Sequence, residues 1–298
     1  MNELERRLRG KVRQSRSEKF QYINEAVNLT TEVISNHFEQ RSIFLSRVQV
    51  DSFKVLILST LEDSSLALLN AQHMLDIYPQ QIISIEVICP GKLILSNLDP
   101  RITSLHENDF LGNDLVNRSF SAFGERGNWI KQQYLKMYTV ANSDLPVLIL
   151  DADTFLNRPI FLFGNEEHTL LINTKDFHYP YTSHARKFLG RPQPLLNFVN
   201  HLQIQFPEIY QQLFSKSFDE GWLEWAELGR IYGEDSPISE FQTYAGALIH
   251  QEKIKPLIVS LVHENVDVGS MSFNEFKATF KRIGGDLFTV GNKLNLIY

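Results

Sequence analysis

The run Leu145-Pro-Val-Leu-Ile-Leu150 is short, uncharged and apolar, and it stops on Asp151-Ala152-Asp153. A short apolar run closed by polar residues reads as a strand buried on both faces, and such strands belong to parallel sheets covered by helices. Two carboxylates one residue apart at its end are costly to ionise together unless a cation accompanies them. A hard divalent ion that also holds phosphate oxygens is a natural compensation. The other reading is a turn or helix cap, where aspartate is also favoured.

The same strand-then-helix unit recurs upstream. Phe53-Lys-Val-Leu-Ile-Leu-Ser-Thr60 is β-branched and apolar and precedes a helical stretch, Ser64 to Tyr78. Ile82 to Cys89 closes on Pro90-Gly91, and Arg101 to Leu105 ends in His106-Glu107-Asn108-Asp109. Alternating strands and helices predict an α/β fold with a mostly parallel sheet, in which ligands sit beyond the carboxyl ends of the strands. That places Ser59, Thr60, Glu62, Asp63 and Glu107 among candidate ligand contacts. Gly127 to Tyr138 predicts a helix with Trp129, Ile130, Tyr134, Met137 and Tyr138 on its apolar side and Asn128, Gln132 and Lys136 on another. After Pro159 the pattern predicts a strand over 169–172, helices over 194–214 and 221–232, and a strand over 257–262. Residues 1–50 read as a helical N-terminal extension, with Phe20, Ile23, Val27, Val33, Ile34 and Phe38 at three- and four-residue spacings.

Composition removes several classes of function. With 298 residues, 43% of them hydrophobic and 21% charged, the chain has enough length for a large core. A net charge of −6 gives no footprint for nucleic acid. The lone cysteine, Cys89, excludes an intrachain disulfide framework and a cysteine-based zinc site. No long uncharged apolar stretch and no secretory leader is legible, so the expected location is cytoplasmic. Arg6, Arg7, Arg9, Lys11, Arg13, Arg16 and Lys19 make the first segment locally basic, which suits peripheral contact with an anionic membrane surface or a solvated helix. There is no phosphate-binding Gly-rich loop of the ATPase type, no dinucleotide fingerprint and no His-Glu-x-x-His.

Three segments together resemble a known family: Gly127-Asn-Trp-Ile-Lys-Gln-Gln-Tyr-Leu-Lys136, Leu148-Ile-Leu-Asp-Ala-Asp-Thr-Phe-Leu156 and Ser239-Glu-Phe-Gln-Thr-Tyr-Ala-Gly246. They look like bacterial GT-A glycosyltransferases of cell-surface polysaccharide pathways, lipopolysaccharide and capsule among them, over roughly Phe53 to His263. The resemblance implies a GT-A-type, Rossmann-like mixed sheet, with a nucleotide-binding half over 51–156 and an acceptor-binding half over 157–298. It implies a nucleotide-sugar donor bound by Ser59, Thr60, Asp63, Glu107, Gln132, Lys136, Asp151, Ala152 and Asp153, and a saccharide or glycolipid acceptor. Mn²⁺ or Mg²⁺ would be held by Asp151 and Asp153, with His263 after a late strand as third ligand and His250 as its competitor. Lys136 would help neutralise the diphosphate, and Glu240 would take the acceptor proton if the reaction inverts configuration.

The segment Asp176-Phe-His-Tyr-Pro-Tyr181 is aromatic and polar, so His178 and Tyr179, with His201, Trp225 and Ser239, are candidate acceptor contacts; Ser239 also reads as the cap of the helix that Glu240 begins. Two other readings stand beside the transferase. A haloacid dehalogenase-type phosphatase also uses a strand ending in Asp-x-Asp, but Phe155 stands where threonine or valine is normal and three strand units precede the motif. A degenerate transferase fold could bind saccharide without turnover.

Overall fold

The computed structural model describes residues 21, 23–33, 51–93, 98–164, 168–174, 177–214, 217–231, 238–252, 254–259, 263–266 and 287–290. Residues 23–33 are helical (α1), and the Thr30 hydroxyl accepts a hydrogen bond from the backbone N–H of Leu195 at 2.8 Å. The strand β1 (Phe53–Leu58) follows, then α2 (Ser64–Ile77), β2 (Ile82–Cys89), β3 (Ile102–His106), α3 (Asp114–Ser121), α4 (Gly127–Ala141) and β4 (Val147–Asp151). β5 (Thr154–Leu156), β6 (Phe163–Gly164), β7 (His168–Ile172), α5 (Tyr179–Leu189), β8 (Leu202–Gln205), α6 (Pro207–Leu213), α7 (Phe218–Ile231), α8 (Glu240–Ile249), β9 (Lys255–Val259), β10 (His263–Val266) and β11 (Leu287–Val290) complete the order.

The main sheet runs β3-β2-β1-β4-β8. Its first four strands are parallel and β8 is antiparallel to β4. Phe53, Leu56, Ile57, Ile85, Val87, Leu148, Ile149 and Leu150 are completely buried, which is why these strands read as near-continuous apolar runs. Register then aligns their carboxyl ends: Leu58 stands opposite both Asp151 and Ile88, and Cys89 stands opposite His106. Ser59, Pro90, Glu107 and Ala152 therefore emerge on one edge. Two three-stranded sheets, β10-β11-β5 and β6-β7-β9, flank the second half.

α4 is seated by a close approach. A Cβ built on Gly127 would lie 2.7 Å from the carbonyl oxygen of Phe120, so only glycine lets the start of α4 abut the end of α3. The helix then buries Ile130, Tyr134, Leu135, Met137 and Val140.

The expected helix over 194–214 is corrected by the structure. Residues 202–205 form β8, every residue of it buried, and only Pro207–Leu213 is helical. Pro207 disfavours helical backbone at the preceding Phe206, which is extended (φ −100°, ψ 131°), so the helix begins only at Pro207. Pairing with β4 outweighs the helical spacing of the apolar residues before it. α5 is a helix the sequence reading did not contain; Pro180 starts it and Gly190, in the left-handed region at φ +64°, ends it.

Candidate active site

The Asp151-Ala152-Asp153 turn is shaped from below by one buried amide. Asn70 on α2 is wholly buried, and its Nδ2 donates to the carbonyl oxygens of Asp151, Ala152 and Thr154 at 3.2, 3.4 and 2.7 Å. A strand end leaves such carbonyls without ladder partners, and a polar residue on the apolar face of a helix supplies them. On the far side, the Asp151 N–H donates to the His201 carbonyl at 3.0 Å, so the start of β8 is stitched to the end of β4. The Thr154 hydroxyl donates to Asp153 Oδ1 at 3.2 Å.

Four charged side chains converge here. Lys136 Nζ lies 3.4 Å from Asp151 Oδ1 and 3.0 Å from Glu240 Oε1, and His201 Nδ1 lies 3.0 Å from Asp151 Oδ2. The Lys136 and Glu240 side chains are 7% and 2% exposed, against 34% for Asp151 and 41% for His201. Glu240 Oε1 makes no hydrogen bond of good geometry, so the ion pair with Lys136 is what compensates that oxygen. The Lys136 ammonium also sits 4.6 Å from the centre of the Phe241 ring, and Gln133 Oε1 accepts the Glu240 N–H at 3.2 Å. The Ser239 hydroxyl caps α8 by accepting the Gln242 N–H at 3.3 Å.

Burial acts to discharge Lys136, but the carboxylates of Glu240 and Asp151 outweigh it and hold the ammonium above its ordinary pKa. Burial likewise opposes ionisation of Asp151, yet Lys136 and His201 hold its carboxyl below the usual range. Asp153 goes the other way: burial and then the neighbouring Asp151 charge raise it. The hydrogen bond to Asp151 raises His201 against the effect of its partial burial.

Asp151, Asp153 and His201 each offer a ligand atom, and the three atoms lie within 4.8 Å of one another. That spacing is near what a single ion with bonds of about 2.0–2.3 Å spans. Two carboxylates and an imidazole suit a divalent cation, and a cation there would offset the repulsion from Asp151 that, after burial, raises Asp153. The residues present therefore fit a divalent metal.

Beside this group a cleft of about 220 Å³ is lined by Ser59, Thr60, Glu107, Asn128, Lys131 and Gln132, with Leu58, Ile88, Pro90 and Leu135 as its apolar floor. Lys131 Nζ pairs with Glu107 Oε1 at 2.7 Å across it. Ser59, Thr60, Glu107 and Gln132, singled out from the sequence, thus come together on one surface. Asp63 sits with them at the start of α2: its Oδ2 accepts the Thr60 hydroxyl at 2.7 Å, and its N–H donates to Thr60 Oγ1 at 3.1 Å.

The remaining candidates are dispersed. His178 precedes α5, and Tyr179, 52% exposed, begins it. Trp225 is wholly buried, its indole N–H donating to Thr243 Oγ1 at 3.0 Å. His250 bonds the Pro192 carbonyl at 2.7 Å. His263 starts β10, but its side chain lies outside the described residues, as does Asp176. Asn70, Gln133 and Lys131 were not read from the sequence as site residues. Asn70 alone left a signal there: an asparagine in the apolar stripe of α2, between Leu66, Ala67, Ala71 and Met74.

No protein-family model matches the sequence, and no curated protein matches it either. Among solved structures, the chain is similar to the galactosyltransferase LgtC crystallised with donor and acceptor sugar analogues, at 12% identity over 80% of this chain and 87% of that one, with a TM-score of 0.42. It is also similar to the mouse xyloside xylosyltransferase 1, at 11% identity over 82% of this chain and 98% of that one, with a TM-score of 0.42.

Proposed function

We propose that the chain is a metal-dependent glycosyltransferase that moves a sugar from a nucleotide donor to a saccharide or glycolipid acceptor. The observation that carries this is the juxtaposition of Asp151, Asp153 and His201, within ligand distance of one another, with a polar cleft at the carboxyl edge of a parallel sheet. Nucleotides bind at that edge in open α/β sheets. The three sequence segments around Lys136, Asp151 and Glu240 that resemble GT-A enzymes of bacterial surface polysaccharide synthesis meet at this one place. A cytoplasmic location, with peripheral membrane contact through the basic N-terminus, accords with that pathway.

In this reading Ser59, Thr60, Glu107, Lys131 and Gln132 hold the nucleoside, and Asp151, Asp153 and His201 hold Mn²⁺ or Mg²⁺. A bound divalent ion would offset the charge that builds on the departing nucleoside diphosphate. The acceptor hydroxyl oxygen bonds to the anomeric carbon as the bond from that carbon to the phosphate oxygen breaks, and the hydroxyl proton passes to the departing phosphate or to solvent. Lys136 keeps Asp151 ionised and fixed. Glu240, 1% exposed and held to Lys136, anchors that lysine instead of acting as the base that the sequence resemblance implies. The topology also favours a transferase over the phosphatase reading, because β4 closes a run of four parallel strands and its other neighbour is the antiparallel β8.

The test is release of nucleoside diphosphate, or of CMP, from a panel of UDP-, GDP- and CMP-sugars with Mn²⁺. One donor class should be turned over, and Asp153→Asn, folded normally, should lose at least 100-fold in rate, about 2.7 kcal/mol. Unchanged turnover in Asp153→Asn would remove the metal from the proposal; no turnover and no binding of any donor would favour a non-catalytic saccharide-binding role.

A further inference from the structure

Aromatic side chains outside the core gather at one place. The chain has three tryptophans, and Trp222 and Trp225 are wholly buried. Trp129 is only partly buried, and its ring lies near-parallel to that of Tyr181, with an interplanar angle of 21° and centroids 6.5 Å apart. His178 leans on Tyr181 at 4.2 Å, and the Arg126 guanidinium sits 5.8 Å from the Trp129 centroid. Phe177 and Tyr179, 45% and 52% exposed, border the group. Trp129, His178 and Tyr181 are half-buried, and with two exposed aromatic neighbours and a polar rim they form a surface on which a ligand can pack.

Its position says what. On α4, Trp129 shares one face with Gln133 and Lys136, at i, i+4 and i+7. Seven residues of helix rise about 10 Å, so Trp129 stands two turns before Lys136, whose ammonium pairs with Asp151. The adjacent face of the same two turns sends Asn128, Lys131 and Gln132 into the cleft. One helix thus carries the cleft on one side and the aromatic surface on the next. A ligand lying on Trp129 and one lying in the cleft would be held by adjacent faces of one helix.

We infer that the surface formed by Trp129, Tyr181 and His178 is the acceptor subsite, and that its ligand is a pyranose whose C–H face packs on Trp129 and Tyr181. The negative face of an aromatic ring attracts polarised C–H groups, while the exposed Arg126 guanidinium at the rim supplies hydrogen bonds to ring hydroxyls. A membrane surface or protein partner would need an apolar rim or a larger face; a polyhydroxylated ring needs this mixture of flat aromatic and polar groups. The word acceptor rests on the transferase reading; the saccharide chemistry rests on the aromatic surface alone.

Trp129 is the tryptophan that acrylamide reaches, because Trp222 and Trp225 are wholly buried and contribute only a protected background emission. Titration of the full chain with methyl α- and β-glycosides of glucose, galactose and mannose should give a saturable change in tryptophan fluorescence with at least one of them, and that glycoside should shield the indole from acrylamide quenching. Tyr181→Ala retains the reporter and should weaken the glycoside by about tenfold, with calorimetric binding of UDP, GDP or CMP in Mn²⁺ unchanged. No saturable change with any glycoside, no shielding of Trp129 in the wild-type chain, or undiminished affinity in Tyr181→Ala would overturn the assignment. The shielding measurement needs no variant, so it decides the matter even where Tyr181→Ala does not fold. Nucleotide binding without glycoside binding would sink the subsite and leave the transferase reading standing. Glycoside binding at Trp129 without nucleotide binding would do the reverse, preserving the saccharide site and removing the name acceptor.

Discussion

The Lys136 ammonium stands 3.0 Å from the Glu240 carboxylate, and both side chains are almost fully buried. A buried pair of this kind contributes little net stability, but losing one member leaves an uncompensated charge in the core. Lys136→Met, which strands the buried Glu240 carboxylate, should therefore destabilise the fold by about 3 kcal/mol or more, and Glu240→Leu by less, because Asp151 still faces the lysine. The double variant Lys136→Met/Glu240→Leu should recover much of that loss, since Asp151 keeps His201 as a partner. Urea unfolding of the two single variants and the double variant measures the coupling. Additive losses would mean that the two groups do not sense each other.

Asn70 makes a separate prediction. Replacing it with alanine removes the donor to three backbone carbonyls of the Asp151–Thr154 turn. Buried acceptors left without partners cost about 1–3 kcal/mol. The same change loosens the turn that carries two of the three candidate metal ligands, so Mn²⁺ affinity should fall along with the unfolding midpoint. A variant that loses stability but binds Mn²⁺ as the wild type does would confine Asn70 to a packing role.

His184 sets a pH dependence away from the site. It is 2% exposed, its Nε2 bonds the Trp225 carbonyl at 2.9 Å, and its Nδ1 has no partner. Burial, with a smaller contribution from Lys187, lowers its pKa from 6.5 to about 4. Between those values the unfolded chain binds the proton and the folded one does not, so stability falls as pH drops from about 6.5 to about 4 and changes no further from this group below that. The slope is at most about 1.4 kcal/mol per pH unit, or roughly 3 kcal/mol in all. His184→Gln, compared with wild type by urea unfolding across this window, should show a flatter dependence. An identical slope would assign the acid lability to other groups.

What could be read from the sequence was what local pattern determines. The strands at 53–58, 82–89 and 147–151 announced themselves because parallel strands are buried on both faces, and Asp151 and Asp153 stood out against that apolar background. Lys136, Glu240 and His201 could be singled out one by one, but that Lys136 and His201 pair with Asp151, and Glu240 with Lys136, follows only from tertiary packing. β8 was hidden because its four residues carry too little pattern to compete with the helical spacing around them, yet it is β8 that delivers His201 to Asp151. Asn70 was visible as a polar residue in an apolar stripe, but only the fold shows which carbonyls it satisfies.

If Asp151, Asp153 and His201 hold a divalent cation, a nucleotide should bind there through it. Calorimetry of UDP, GDP and CMP, each with and without Mn²⁺, on the wild-type chain and on Asp153→Asn tests it most directly. One nucleotide should bind only with Mn²⁺, and Asp153→Asn, with unchanged circular dichroism, should weaken it by at least tenfold, about 1.4 kcal/mol. Binding that needs neither Mn²⁺ nor Asp153, or no binding of any of the three, would contradict it.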